Sequence, residues 1–155
     1  MSGQTDIVVS APQWDAVREA QAVVTRAIEA ARAQARETGD AAIAVLLCDD
    51  AEMHRLNLSF RRMDKPTNVL SFPSTGPMRA QSLGDIAIAY ETVAREAQEE
   101  GKTLLDHLAH MAVHGALHLC GYDHESDEEA AEMEDCERRA LASLGIADPY
   151  AEKAA

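Results

Sequence analysis

The chain has 155 residues and a formal net charge of -13, with 46% hydrophobic and 26% charged residues. This length and composition predict a single globular domain, residues 1–155, with a hydrophobic core of its own. No apolar run approaches the roughly 20 residues that cross a bilayer, and the acidic, polar N-terminus lacks a signal-peptide pattern. We therefore expect a cytoplasmic protein with no membrane partner. The three cysteines are odd in number and widely spaced, which argues against a disulfide framework.

Short apolar or β-branched segments alternate with segments whose apolar residues recur at three- and four-residue steps, the periods of strands and helices. Paired residues (Thr103 with Asp106, Ser126 with Glu129) resemble the capping pairs that begin helices. The alternation predicts a layered protein of the α/β type, with a histidine-rich helix packed on the sheet. In chain order the predicted elements are a strand at Asp6–Ser10, a helix from Trp14 to about Thr38, a strand at Ala41–Cys48, a helix capped by Asp49 or Asp50 that runs through Phe60, a strand at Asn68–Phe72, a mobile loop at Ser74–Ser82, a strand at Gly84–Ala89, a helix at Tyr90–Glu100, the histidine helix to about Leu119, and a last helix from Asp127 to about Leu144.

Three histidines at the end of the histidine helix have the spacing of metal ligands. His114 and His118 are four residues apart, so a helix places them one turn apart on the same face. Gly121 tolerates the positive φ of a sharp helix end, and the turn can bring His124 to the same ion. Three imidazoles with a fourth position open to water are typical of a catalytic zinc site. The pattern predicts one zinc ion per chain, with other divalent transition metals as alternatives.

The same spacing occurs in the metal-binding signature of the metzincin proteases, but one residue differs. Where those proteases have the glutamate that activates water, this chain has Gly115. A metalloprotease-like hydrolase is therefore an alternative that needs a base from elsewhere in the fold. Cys120 is close to the histidines in sequence and is either a thiolate ligand or a buried, inert thiol, of which we favour the second.

The distribution of charge bears on a nucleic-acid partner more than its total does. Residues 53–83 contain five basic residues and one acid, whereas residues 123–137 contain nine acids and neither lysine nor arginine. One end of the molecule is thus expected to be basic and another to repel polyanions. The basic residues are Arg55, Arg61, Arg62, Lys65 and Arg79.

Several blocks of the sequence resemble the YbeY family of bacterial endoribonucleases. Residues 114–124, His-Gly-Ala-Leu-His-Leu-Cys-Gly-Tyr-Asp-His, are similar to the family signature His-Gly-x-Leu-His-Leu-x-Gly-Tyr-Asp-His. The order and spacing of the blocks make the resemblance specific, and it extends over about residues 56–150. The further blocks are Leu56-Asn57, Phe60-Arg61-x-x-Asp64, residues 66–73 and residues 83–86.

The resemblance implies both a fold and a function. The fold is α+β, a small mixed four-stranded sheet flanked by about five helices, with the metal-binding helix packed on the sheet. The function is that of a single-strand-specific, metal-dependent endoribonuclease in ribosomal RNA maturation, notably at the 3′ end of 16S rRNA, and in ribosome quality control. Small-subunit ribosomal proteins and an assembly GTPase are implied partners. The implied metal ligands are His114, His118 and His124, and the implied functional arginine is Arg61, with Arg62 beside it.

The predicted catalytic residues, Arg61 and His114, divide the chemistry of phosphodiester cleavage between them. A three-histidine zinc ion lowers the pKa of its water to about 7, and a planar guanidinium binds two phosphate oxygens at once. The nucleophile is either water or the RNA 2′-OH. No general base is evident, although Asp123 and Glu125 are near in sequence. A non-catalytic ribosome-assembly factor with a structural zinc is a further alternative.

Other residues near these motifs each have two interpretations. His110 either hydrogen-bonds a ligand or has a core or surface role, and His107 and His54 are expected to be incidental. The aromatic rings of Phe60 and Phe72 can stack on bases, but core packing is favoured. For Asp85, which opens a strand, a turn role is at least as good as a catalytic one. The polar side chains that either bind phosphate or have no such role are Thr67, Asn68 and Ser71.

Overall fold

The computed structural model describes residues 3–36 and 39–151, and in them it has one four-stranded sheet and five α-helices. The strands are β1 (Thr5–Val9), β2 (Ala42–Cys48), β3 (Val69–Pro73) and β4 (Ser82–Ala89). The helices are α1 (Ala20–Gln34), α2 (Asp50–Arg61), α3 (Tyr90–Glu100), α4 (Leu104–Leu119) and α5 (Asp127–Ser143). Two short 3-10 helices cover Pro12–Ala16 and Gly76–Ala80.

The sheet has the order β1-β2-β4-β3 and is mixed. Strands β1, β2 and β4 run parallel to one another, and β3 joins the edge of β4 in the antiparallel direction. The antiparallel edge makes the class α+β, as the family resemblance implied, rather than the wholly parallel arrangement of many α/β proteins. Among the described residues no helix is long and apolar enough to span a membrane.

Alternation along β2 separates the two faces of the sheet. Ile43, Val45 and Leu47 are buried in the main core, where α1 and α4 cover the sheet and α5 packs on these two helices. Cys48 and its neighbours form a smaller core on the other face, under Met53 of α2. Helix α4 contacts β3 and β4 and is flanked by α1, α3 and α5. The prediction that the histidine helix packs on the sheet is therefore confirmed.

The helix predicted from Trp14 begins differently in the structure. Pro12–Ala16 is a 3-10 helix, and α1 starts only at Ala20. The reason is the position of Trp14, whose buried indole N–H donates to the carbonyl of Cys48 at 2.8 Å and so holds this segment across the end of β2. At the other end, α1 stops at Gln34, and the predicted boundary at Thr38 lies outside the described residues.

Side-chain caps begin three of the helices. Asp49, not Asp50, caps α2 by accepting a hydrogen bond from the backbone N–H of Glu52, while Thr103 and Ser126 cap α4 and α5 in the same way. The predicted loop at Ser74–Ser82 contains the second 3-10 helix, and β4 begins at Ser82, two residues before its predicted start.

Candidate metal centre

The end of α4 brings the three signature histidines together. His114 and His118 lie one turn apart, with ring centroids separated by 4.6 Å. After the helix, Gly121 adopts a φ of 102°, a left-handed value that favours glycine, and the backbone N–H of Tyr122 donates to the carbonyl of Leu117. This turn carries the ring of His124 to 5.8 Å from that of His114 and 5.1 Å from that of His118. One nitrogen of each histidine lies within 4.8 Å of the others, close enough to hold one metal ion.

Hydrogen bonds fix which nitrogen of each helical histidine faces this point. His114 Nδ1 lies 3.2 Å from Glu137 Oε1, and His118 Nδ1 lies 3.0 Å from the carbonyl oxygen of Tyr122. An ionised carboxylate and a carbonyl oxygen only accept hydrogen bonds, so both Nδ1 atoms carry the hydrogen. The lone pairs on both Nε2 atoms are left for a metal, which is the tautomer that metal-ligating histidines adopt when Nδ1 is the bonded nitrogen.

The two Nε2 atoms face each other at 3.1 Å. If both imidazoles are neutral with hydrogen on Nδ1, the Nε2 lone pairs point at each other and repel. A cation bound between the two Nε2 atoms would remove this repulsion. Burial lowers the pKa of His118, and the nearby imidazoles of His114 and His124 lower it further. The hydrogen bond to the Tyr122 carbonyl acts in the opposite direction but is outweighed. The lowered pKa favours the neutral imidazole that a metal ligand must have. The donor set of three imidazoles therefore fits a divalent transition metal.

Glu137 of α5 is part of this centre, and the sequence analysis did not include it. The carboxylate is buried and accepts hydrogen bonds from His110, from His114 and from the hydroxyl of Tyr150. Burial alone raises the pKa of Glu137, but the bonds from His110 and His114 outweigh burial and hold the pKa at about 2. Its charge is thus present at neutral pH. In the sequence Glu137 is one of several acids in α5, and no local signal separates it from the exposed ones.

A cleft of about 500 Å³ opens beside the three histidines. Arg61, the last residue of α2, lines the cleft together with Ser71 of β3 and Arg79 of the second 3-10 helix. Arg62, the left-handed cap of α2 (φ 57°), does not line it. Within the described part of the chain the Arg61 guanidinium has no hydrogen-bond or ion-pair partner. Its charge is therefore available to a ligand of the cleft.

Arg79 is held in the wall of the cleft by two backbone carbonyls. Its guanidinium donates to Ser74 at 3.1 Å and to Leu119 at 2.9 Å, which ties the loop between β3 and β4 to the end of α4. Asp123 also lines the cleft, and its carboxylate accepts from the backbone N–H of His124 at 2.8 Å. Asp123 thus shapes the turn that carries the third histidine. Two guanidinium groups against one carboxylate make this wall locally positive in an acidic protein.

Gly115 faces the sheet rather than the cleft. A Cβ atom added to Gly115 would stand 2.9 Å from Cγ2 of Ile86 and 3.2 Å from Oγ of Ser71, whose hydroxyl donates to the carbonyl of Gly115. The position that carries the catalytic glutamate in zinc proteases is here closed by β3 and β4. The geometry therefore argues against the protease alternative.

Comparison with known proteins agrees with these observations. The family described as Endoribonuclease YbeY matches residues 8–145. The chain belongs to this family. Proteins named Endoribonuclease YbeY include one from Rhodopseudomonas palustris at 58% identity, covering 95% of this chain and 80% of that protein, and one from Nitrobacter winogradskyi at 56%, covering 95% and 82%. A third, from a Bradyrhizobium species, is 53% identical and covers 96% of this chain and 93% of its own. The resemblance drawn from the signature is confirmed.

A solution structure of a Thermotoga maritima protein shares the fold. The two chains superpose with a TM-score of 0.57 at 24% sequence identity, over 96% of this chain and 100% of the other. At this identity the likeness concerns the fold alone. It supports the α+β arrangement of a mixed sheet with five helices.

A second group of possible ligands, Glu96, Glu100 and His107, lies at the start of α4. Its polar atoms are already engaged: His107 Nε2 is 2.9 Å from Glu96 Oε1, and the ammonium of Lys102 is 2.9 Å from Glu100. A cation at this point would compete with a lysine. This group is an ion-pair cluster, and His107 is buried in it rather than incidental.

The structure separates the remaining predicted residues from the histidine cleft. Phe60 and Phe72 pack edge to face at 5.1 Å in an apolar groove of about 410 Å³ on the α2 side of the sheet, and Phe60 is 67% exposed, so its expected core packing is wrong. Asp85 lies within β4 and lines that groove, so the turn role is also wrong. Cys120 and Glu125 do not line the cleft, and Cys120 is only partly buried.

The polar residues around β3 have structural partners. The amide of Asn68 donates to Glu96 at 3.0 Å while its side-chain oxygen accepts from the N–H of Val69. Ser71, described above, lines the cleft, whereas Thr67 and Asn68 do not. His54 is exposed and pairs with Asp64, in agreement with an incidental role. His110 is not part of the three-histidine group, and its side chain shares the carboxylate of Glu137 with His114.

Proposed function

We propose that this chain, as one functional domain of residues 1–155, is a metal-dependent endoribonuclease that cleaves single-stranded RNA. The observation that carries the proposal is the 3.1 Å approach of the Nε2 atoms of His114 and His118, with a nitrogen of His124 nearby. The Arg61 guanidinium lines the same cleft and has no partner among the described residues. Membership of the YbeY family supports RNA as the substrate. We propose maturation of ribosomal RNA, including the 3′ end of 16S rRNA, and ribosome quality control in the cytoplasm as its cellular role.

His114, His118 and His124 would hold one divalent ion, for which zinc is our proposal because three neutral imidazoles and an open position suit it. When bound, the ion supplies Lewis acidity toward a phosphoryl oxygen and lowers the pKa of an attacking hydroxyl or water. Arg61 would bind two non-bridging oxygens of the scissile phosphate and stabilise the charge that develops there. Glu137 and the Tyr122 carbonyl keep the hydrogens of His114 and His118 on Nδ1.

The cleft that would meet the RNA carries positive charge in an otherwise acidic protein. Arg61 and Arg79 line the cleft, whereas the acids of residues 123–137 lie mainly on α5. RNA approaching from the α5 side would be repelled, so this distribution favours one orientation of the strand. Small-subunit ribosomal proteins and an assembly GTPase are proposed partners that rest on the family resemblance alone.

The experiment compares RNA cleavage by wild-type protein of verified metal content with that of His114→Ala, Arg61→Glu and the control Arg62→Glu. We expect cleavage to fall by roughly 100-fold or more in the first two, since Arg61→Glu removes a transition-state donor, which costs about that much, and His114→Ala removes a proposed ligand of the metal. Arg62→Glu carries the same charge change outside the cleft and should retain most activity. A 2′,3′-cyclic phosphate on the product would identify the RNA 2′-OH as the nucleophile.

Three outcomes separate the alternatives. Equal loss in Arg61→Glu and Arg62→Glu would mean that charge rather than position matters, and would contradict the role of Arg61. Casein digestion without RNA cleavage would favour a protease. If His114→Ala lowers the melting temperature while Arg61→Glu leaves ribosomal RNA processing unchanged in cells, the protein is an assembly factor with a structural metal.

A further inference from the structure

The buried carboxylate of Glu137 has no counter-charge from lysine or arginine among the described residues. It is 1% exposed, and its hydrogen-bond donors are two histidines and one tyrosine. Burying a carboxylate costs several kcal/mol unless a nearby positive charge or several hydrogen bonds offset the loss of water. A cation bound at Nε2 of His114 would stand on the other side of the same imidazole ring and supply that charge.

We propose that Glu137 is a positioning residue of the metal centre, which fixes His114 in the tautomer that presents Nε2 and strengthens that nitrogen as a ligand. The inference deepens the proposed function and rests on its metal-binding part. A carboxylate that accepts from Nδ1–H makes an imidazole more basic and holds its ring plane. His118 differs because its Nδ1 faces the neutral carbonyl of Tyr122. Only one of the two helical ligands thus has a charged partner.

The orientation of Glu137 is set by the C-terminal segment after α5. The Tyr150 hydroxyl lies 3.1 Å from Oε1 and 2.8 Å from Oε2 of Glu137, so it bridges the carboxylate. Tyr150 is held in turn by the Arg138 guanidinium, 5.4 Å from its ring centroid, and by its backbone N–H, which donates to Asp148. Asp148 also pairs with Arg138 at 3.1 Å. The segment therefore connects the last residues of the described chain to His114 through a single carboxylate.

The ring of His110 completes the network from the other side. Its Nε2 lies 2.8 Å from Glu137 Oε1, and its ring meets that of Tyr150 edge to face at 5.6 Å. His110 Nδ1 is buried and has no hydrogen-bond partner in the described residues, so the ring is held through Nε2, by Glu137 at 2.8 Å and by the Tyr150 hydroxyl at 3.4 Å. A buried polar atom left without a partner is costly, and it is tolerated more readily where a network serves a site. Glu137 thus orients two histidines.

The test measures metal affinity rather than RNA cleavage. Zinc binding by wild type, Glu137→Gln and the control Asp135→Asn is measured by competition with a chromogenic chelator. Asp135 is exposed on the same helix and pairs with Arg139, so its variant removes the same charge without touching the histidines. We expect Glu137→Gln to lose about 10- to 100-fold in affinity, the usual effect of removing the partner of a metal-ligating histidine, and Asp135→Asn to bind as wild type does. Equal affinity in the two variants would overturn the proposal.

Two further measurements keep the inference testable if Glu137→Gln does not fold. In metal-free wild-type protein at pH 8, the ¹⁵N shifts of His114 should show hydrogen on Nδ1; a predominant Nε2–H form would overturn the proposal. Tyr150→Phe removes only the bridging hydroxyl and should weaken zinc binding by a few-fold. An unchanged zinc affinity in this variant would contradict the proposal. If the wild type binds zinc but does not cleave RNA, the endoribonuclease proposal fails while this inference stands.

Discussion

Helix α4 carries four of the six histidines of the protein, two in each half, at spacings of three and four residues. In the first half, His107 and His110 are buried, and each points Nε2 at a carboxylate, of Glu96 and Glu137 respectively. In the second half, His114 and His118 have Nδ1 bonded to an acceptor, and their Nε2 atoms face each other at the cleft. Similar spacing therefore gives two different chemical environments.

The difference lies in which ring nitrogen is satisfied by the protein. A histidine whose Nε2 donates to a carboxylate has no outward lone pair at that position, so it contributes to packing and charge balance. A histidine whose Nδ1 is bonded leaves Nε2 for a ligand. The turn at Gly121 adds His124 to the second half, whereas the first half lies beside α3 and the ion pair of Lys102 with Glu100. Glu137 belongs to both halves, since it contacts His110 and His114.

The largest expected difference between the halves is in metal affinity. His118→Ala should weaken zinc binding at least about 100-fold, because four-ligand zinc sites bind with about 10–16 kcal/mol, or roughly 3 kcal/mol for each ligand. His107→Gln, in the first half, should leave the affinity within about two-fold of wild type. Chelator competition measures both. Comparable losses in the two variants would show that the halves are not distinct in the way that their hydrogen bonds indicate.

Removal of the metal should have the next largest effect, on the thermal stability of the protein. A ligand that binds only the folded state at 100 times its dissociation constant adds about 2.7 kcal/mol to the free energy of unfolding. We therefore expect chelation to lower the melting temperature of the wild type by roughly 5–10 °C, given about 2–4 °C for each kcal/mol in a chain of this size. The melting temperature of His118→Ala should barely respond to chelator. A response equal to that of wild type would place the stabilising ion elsewhere.

The sequence sufficed to predict the part of the centre that local geometry determines. His114 and His118 are joined by one helical turn and His124 by one glycine turn, so spacing alone indicated that they meet. Glu137 was missed because it lies 23 residues from His114, and only the packing of α5 on α4 brings the two together. No periodicity in an acidic helix distinguishes one inward carboxylate from its exposed neighbours.

The fold was also predictable only as far as local sequence determines it. Strand and helix types followed from periodicity, and the family resemblance implied a mixed sheet, whereas the order β1-β2-β4-β3 depends on long-range pairing and was not predicted. The beginning of α1 was wrong because the bond from Trp14 to Cys48 spans 34 residues. The exposure of Phe60 was also unexpected, because α2 covers only part of its face of the sheet and leaves the apolar groove open. Choice between Arg61 and Arg62 depended on the left-handed cap of α2.

A smaller effect is expected at Gly115, which lies between His114 and His118 in the sequence but faces the sheet. In Gly115→Ala the contacts of the added Cβ with Ile86 and Ser71 should lower the free energy of unfolding by about 1–3 kcal/mol through overpacking. The higher helix propensity of alanine should return about 1 kcal/mol. Urea unfolding should show a net loss of roughly 1 kcal/mol. Ala131→Gly, on the exposed face of α5, measures the propensity effect alone. If Gly115→Ala gains what Ala131→Gly loses, the packing argument is wrong.

The smallest effect belongs to His54, which bonds a carboxylate as His107 and His110 do but at the surface. Its Nε2 lies 2.6 Å from Asp64 Oδ1, with side chains that are 43% and 81% exposed. Exposed pairs contribute only about 0.2–1 kcal/mol because water and salt screen them. Asp64→Asn should therefore change the free energy of urea unfolding by less than about 0.5 kcal/mol and leave zinc affinity unaltered. A larger loss would mean that a short carboxylate contact stabilises histidine regardless of burial, and the contrast between the exposed pair and the buried network of Glu137 would not hold.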